Sequence, residues 1–191
     1  MDDQAKQVVL RWWQSMMLSP EQLKGKGIQA APSGYKAQLR RTNSIDEAML
    51  TEAFRSLWLA LDDNVTQLGQ SPIRQSKAIE CWAAVAAVLV HVKNNSEHKL
   101  AVAAGRKGDG DKSVVSELRF SQLQNAKTPA DFLRRLRRIV QQLKGEVAVV
   151  NLADNILQWF AEHEQMRPRK ADKRISVQWA MDYYRAAAGK A

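Results

Sequence analysis

Residues 133–143 read LRRLRRIVQQL, and the pairs Arg134-Arg135 and Arg137-Arg138 are the densest concentration of one chemistry in the chain. A guanidinium is planar, always charged, and offers a fork of N–H donors that meets a phosphate at two points. Lysine would solubilise a helix equally well, so four arginines in five residues point to a polyanion. Similar composition recurs elsewhere. Tyr35 and Lys36 precede Leu39, Arg40 and Arg41, an aromatic beside cations as in a strand-binding groove. The loop GRKGDGDKS (105–113) carries Arg106, Lys107 and Lys112, and SELRF (116–120) carries Arg119. The loop RPRKADKR (167–174) is also basic, and reads as readily as a solvated linker.

Groups that do covalent or metal chemistry are not spaced for it. His91 falls in an apolar helix and reads as a core histidine, while His98 and His163 lack Cys, His or paired carboxylates at metal-ligand spacing. Asp62-Asp63 and Glu162-His163-Glu164 sit at helix ends, where neighbouring acids diverge instead of converging on two metals. The loop at 105–113 falls short of a phosphate-binding G-x-x-x-x-G-K-[ST], because Asp111 separates Gly110 from Lys112 and no convincing strand precedes it. No serine, cysteine or lysine has a nucleophile's setting. The expectation is a protein without catalytic residues, cofactor or metal.

The arginines must be presented by a helix. At about 100° per residue from Leu133, Phe132, Leu136, Ile139, Val140 and Leu143 fall on one face at roughly 240° to 360°. The four arginines fall at about 40° to 200°, off that face. Thr128-Pro-Ala-Asp131 supplies a start, with Thr as cap, proline at the first position, and an acid favoured by the helix dipole. Asp131 is expected to be used up by that cap, which would leave the set unneutralised within its helix. A stop is expected near Gly145.

Helices are expected almost everywhere else. Val8, Val9, Trp12, Trp13 and Met16 mark one in the first seventeen residues, ending before Ser19-Pro20, with Trp13 off the main stripe. Gly25, Gly27, Pro32 and Gly34 suggest a loop. Ser44-Ile-Asp-Glu47 has capping-box form and opens a helix with Leu50, Phe54, Leu57, Trp58 and Leu61 on one side. Ser71-Pro72 opens another, through Trp82 to about Val92; its apolar core, Cys81–Val90, is half of a membrane span and reads as a buried helix. Glycines 105, 108 and 110 with Asp109 and Asp111 break the chain, after which Ser113 or Ser116 can cap SELRFSQL. Asn151-Leu-Ala-Asp154 starts a helix with Leu152, Ile156, Trp159 and Phe160, and a last helix carries Trp179, Tyr183 and Tyr184. EVAVVN could form one short strand. The class is all-α, a compact helical bundle.

The chain has 191 residues with 29 Lys+Arg against 20 Asp+Glu, a net charge of +9. Residues 1–98 hold 11 basic and 10 acidic side chains, and residues 99–191 hold 18 and 10. The excess therefore belongs to the second half, which suggests a single helical unit, 1–191, with a possible N-terminal lobe (1–98) and a basic C-terminal lobe (99–191). A lone Cys81 fits a reducing compartment, and MDDQAKQ lacks the basic and apolar regions of a signal peptide. A cytoplasmic protein with no membrane association is expected.

Taken in order, YKAQLRR (35–41), WAAVAAVLVHV (82–92), SELRFSQLQNA (116–126), FLRRLRRIVQQLK (132–144), NLADNILQW (151–159) and WAMDYY (179–184) resemble the CasB family. That family is the small subunit of the type I-E CRISPR Cascade complex. The resemblance spans about residues 35 to 185, and S-E-x-R-F-x-x-L with the doubled arginine pairs is its most specific part. It implies a non-enzymatic helical subunit of an antiviral ribonucleoprotein, present in two copies beside other Cascade subunits. Such a subunit would contact guide RNA, target DNA and the displaced strand of the R-loop through backbone charge. The matching positions are Arg40, Arg41, Arg119, Arg134, Arg135, Arg137 and Arg138; some of them could pair with neighbouring subunits instead. Arg106 and Lys107 join the candidates on composition alone. The competing readings are a free-standing all-helical DNA-binding regulator or architectural protein, which needs base-reading side chains on a recognition helix, and an uncharacterised nuclease or nucleotide-dependent enzyme.

Overall fold

Helix α1 (Asp3–Met17) forms where the apolar stripe predicts it, capped by the Asp2 carboxylate accepting from the Ala5 amide. The computed structural model describes residues 1–66, 72–108, 110–164 and 166–189, the side chains of 72–74 excepted. Ser71 and Asp109 lie outside the described residues. Among the described residues there are twelve α-helices and two short strands, an all-α chain. They divide into two compact units, Met1–Val90 and His91–Ala191.

The first unit continues with α2 (Pro20–Lys26), α3 (Gly34–Arg41), α4 (Ile45–Met49), α5 (Glu52–Ala60), α6 (Asp63–Thr66) and α7 (Pro72–Leu89). Its core is the apolar run of α7, where Ala83 to Val90 are at most 1% exposed. Helices α3, α4, α5 and α6 all pack on α7. Burying that run against other helices, instead of lipid, is what its length of about ten residues permits. Among the described residues no helix is long and apolar enough to cross a membrane.

Three expectations for this unit need correction. The glycine-marked region after Ser19 holds helix α2, because Ser19 and Gln22 form a reciprocal capping box and Pro20 suits the first turn. One helix over 45–61 is instead two: Thr51 recaps the chain, its hydroxyl accepting from the Phe54 amide and donating to the Ala48 carbonyl, so Leu50 turns outward. Glu47 reaches back to the Asn43 amide, one residue before the cap. Trp13, expected off the stripe, is 2% exposed, since α1 buries a face wide enough for both tryptophans. Trp12 donates its indole N–H to the Ala53 carbonyl at 3.0 Å and to Ser56 Oγ, tying α1 to α5.

The second unit contains β1 (Asn94–Asn95), α8 (Leu100–Gly105), α9 (Glu117–Gln124), α10 (Pro129–Gln142), β2 (Glu146–Val147), α11 (Val149–His163) and α12 (Ile175–Ala187). The two strands pair in parallel, and the Gly145 carbonyl accepts from the Lys93 and Asn94 amides. The expected start of α11 at Asn151 is also corrected. The helix begins two residues earlier, because Asn95 Oδ1 accepts from the Val149 amide at 2.9 Å, a cap supplied from 54 residues away. Ser116 stands at the N-cap position of α9 without a side-chain cap bond.

An aromatic core joins α9, α10, α11 and α12. Phe132 stacks on Trp159 with ring centroids 4.0 Å apart, Phe120 stacks on Tyr183, and Phe132 lies parallel to Trp179. The polar ends of these rings are satisfied. Trp179 donates to Asn155 Oδ1 and Tyr183 to the Val115 carbonyl, both buried.

Candidate nucleic-acid interface

Helix α10 presents the arginine set as its spacing predicts. Thr128 Oγ1 caps it by accepting from the Asp131 amide at 3.2 Å, and Phe132, Leu133, Leu136, Ile139, Val140 and Leu143 are all buried. None of the four arginines belongs to that buried face; Arg134 and Arg138 are exposed, and Arg135 and Arg137 are half-buried at its edges.

The four arginines are not equivalent. The Asp131 side chain is free of the cap, which uses only its backbone, and its Oδ1 accepts from Arg134 Nη2 at 2.7 Å and Arg135 Nε at 2.8 Å. The expectation that nothing on the helix neutralises the set is thereby corrected; residues three and four apart on a helix are neighbours. Arg135 is half-buried and donates its Nη1 to the Gln122 carbonyl of α9, so it is locked between two helices. Arg137 is half-buried and has a partner of its own. Arg138 is exposed and makes no hydrogen bond or ion pair among the described residues.

Arg134 and then Arg135, as hydrogen-bond donors, hold the Asp131 carboxyl below the usual aspartate range. A lowered pKa means the stabilisation is complete above the unfolded value, about 4, and is lost as pH falls through the lower folded value. Asp131→Asn will therefore be less stable than the parent at neutral pH, and the two will converge in acid. Urea unfolding at neutral pH and at pH values below about 4 measures this; a gap that is constant with pH would rule out the ion pairs as its source.

Arg119 of α9, and Arg135 and Arg138 of α10, converge on a recess of about 580 Å³. Gln122, Ile139, Gln141 and Gln142 complete its lining, which includes no acid. Arg119 Nη1 donates to Gln142 Oε1 at 3.2 Å, and Gln142 Nε2 in turn donates to the Val114 carbonyl at 2.8 Å. Arg135 is already paired with Asp131, so Arg119 and Arg138 are the cations that the open pocket offers beside neutral amides, a pair that suits a phosphate.

The remaining candidates do not line this recess. Arg106 contacts His98 Nε2, and Lys107 pairs with Asp111 at 2.6 Å, an exposed pair of little energetic weight. Arg40 and Arg41 belong to the first unit. Arg40 Nε reaches the Val90 carbonyl at 3.4 Å, and Arg41 shares a shallow recess with Glu47, Glu52 and Arg55, a mixed rather than basic surface. Among the described residues, no group of three or more His, Cys, Asp or Glu could hold a metal.

The profile of the CRISPR-associated protein Cse2 family matches residues 35–184, more than three quarters of the chain. The chain belongs to the Cse2 family. Cse2 and CasB name one family, so the sequence resemblance and the match agree, and the chain is a subunit of the type I-E CRISPR Cascade. As a Cse2 protein it associates with other Cascade subunits. No curated protein and no solved structure gives a significant match. The match includes α9 and α10, and so takes in the whole recess.

Sequence reasoning named Arg119, Arg135 and Arg138 but not Gln122, Gln141 or Gln142 as their companions. The glutamine pair was visible as the outward end of LRRLRRIVQQL, although its neighbours on α9 were not.

Proposed function

We propose that this Cse2 protein is a non-catalytic subunit that binds nucleic-acid backbone without sequence preference. In this reading it stabilises guide-RNA/target-DNA pairing and the displaced strand of the R-loop, as one of two copies in the cytoplasmic Cascade particle. The observation that carries the reading is the acid-free recess in which Arg119, Arg135 and Arg138 meet. The second unit, with 19 basic and 11 acidic residues, is the nucleic-acid-binding unit. Replacement of one duplex by a heteroduplex is nearly balanced energetically, so a few phosphate contacts suffice to tip it. Sequence discrimination is left to base pairing, and protein contacts to phosphate supply register and affinity.

The test is salt dependence. For the full chain, log affinity will fall linearly with log salt, alike for unrelated sequences. Arg119→Ala combined with Arg138→Ala will flatten that slope by about 1.5, on the basis of roughly 0.7 to 0.9 per phosphate contact. Tight binding of one sequence over scrambled competitors would instead favour a base-reading regulator. An unchanged slope in the double variant would assign these arginines to contacts with other subunits.

A further inference from the structure

A second recess, about 570 Å³, adjoins the arginine recess and shares Arg119 and Gln142 with it as a common wall. Its character differs. Tyr184 of α12 lies along it, 52% exposed, and Lys112 adds a second cation to its lining. The ring is nevertheless held in place. Its hydroxyl donates to Glu117 Oε1 at 2.6 Å, which holds the phenol protonated above its ordinary range, and Tyr183 meets the ring edge-on at 5.5 Å. Tyr183 is itself buried and anchored through the Val115 carbonyl, so Tyr184 is held at its hydroxyl and against a fixed neighbour while about half of the residue stays exposed.

We infer that the two recesses form one site for single-stranded nucleic acid, with an unstacked base on Tyr184 and the adjacent phosphate between Arg119 and Arg138. The inference rests on the nucleic-acid reading above and narrows its substrate class. A base stacks on any aromatic face regardless of sequence, and a basic groove beside such a platform follows the backbone of one strand. A duplex keeps its bases stacked on each other and cannot offer one to Tyr184, whereas its phosphates can still reach Arg138. The chemistry is common to DNA and RNA strands. Glu117 lines the second recess and keeps its charge while accepting from the tyrosine hydroxyl, but it is absent from the lining of the arginine recess, where the phosphate is placed.

The test compares the full chain with Tyr184→Ser and Tyr184→Phe in fluorescence anisotropy. The probes are a short oligothymidylate, its abasic counterpart, an oligouridylate, and a duplex of the same length. Losing one stacked base, about 1–3 kcal/mol, corresponds to about 5- to 150-fold in affinity. The ratio of oligothymidylate to duplex affinity will therefore fall by that factor in Tyr184→Ser, and Tyr184→Phe will keep most of it. Abasic strand will bind the parent as weakly as intact strand binds Tyr184→Ser. A matching response with oligouridylate assigns the site to either strand type; a response limited to one polymer assigns it to that polymer.

An unchanged ratio, or equal losses on every probe, would overturn the stacking site while salt-dependent duplex binding kept the broader reading intact. Should no probe bind the parent in a salt-dependent way, the broader reading falls instead. If Tyr184→Ser binds every probe as the parent does but no longer enters the Cascade particle, Tyr184 docks a protein subunit, and the inference is wrong.

Discussion

Phe132→Ala will destabilise the protein by about 3–5 kcal/mol, the usual cost of emptying a large aromatic site in a packed core. Phe132 is 1% exposed and lies in the first turn of the arginine helix, stacked on Trp159, edge-on to Phe160 and parallel to Trp179. Neither tryptophan can fill the vacancy. Trp179 is held by its hydrogen bond to Asn155, and Trp159 is held by its stacking on His163. The melting temperature will fall by about 6–20 °C for a chain of this size. At temperatures where the variant is still folded, its affinity for nucleic acid will stay close to the parent's, because no recess residue has changed. Thermal unfolding followed by low-temperature anisotropy checks both statements; a stability loss below about 1 kcal/mol would mean the core closes over the gap.

Gly105→Ala will be nearly as damaging for the opposite reason. A Cβ at Gly105 would lie 2.3 Å from the Tyr183 carbonyl oxygen and 3.0 Å from its carbon. The obstacle is backbone within α12, not the movable tip of a side chain, so α8 and α12 must separate. Overpacking of this kind costs about 1–3 kcal/mol. Gly25→Ala is the matched control. Gly25 also lies in a helix, with nothing within 4 Å of its added Cβ, so alanine there will stabilise by about 0.5–1 kcal/mol through helix propensity. Urea midpoints moving in opposite directions are the expected result. Because Gly105 abuts the residue before Tyr184, its variant will also weaken single-strand binding more than duplex binding; equal stability of both glycine variants would refute the close approach.

These two substitutions mark the limits of reading the chain in one dimension. The core face of α10 was legible because 3.6-residue periodicity is a local property: Leu133, Leu136, Ile139 and Val140 can share a face only as a helix, and Thr128 supplies the start. Gly105 carried no such signal. It was readable only as a chain breaker, whereas it closes the contact between two helices nearly eighty residues apart in sequence. Asp131 shows a subtler failure. Its i+3 and i+4 arginines were in plain view, but assigning its carboxylate to the cap overlooked that Thr128 already filled that role.

Composition, periodicity and cap residues determined the all-helical class, the basic character of the second half and the ridge of arginines on α10, since each depends on residues within a few turns of one another. Ordered segments such as SELRF and LRRLRR also carried the family. Only the tertiary structure decided which charges remain available. Arg135 is locked by a carbonyl of α9, and Arg138 is left open beside Arg119. Tyr184, from the last helix, is brought to the same wall as a half-exposed ring. Hydrogen bonds between distant helices consume some guanidinium groups and spare others, and no spacing along the chain encodes that choice.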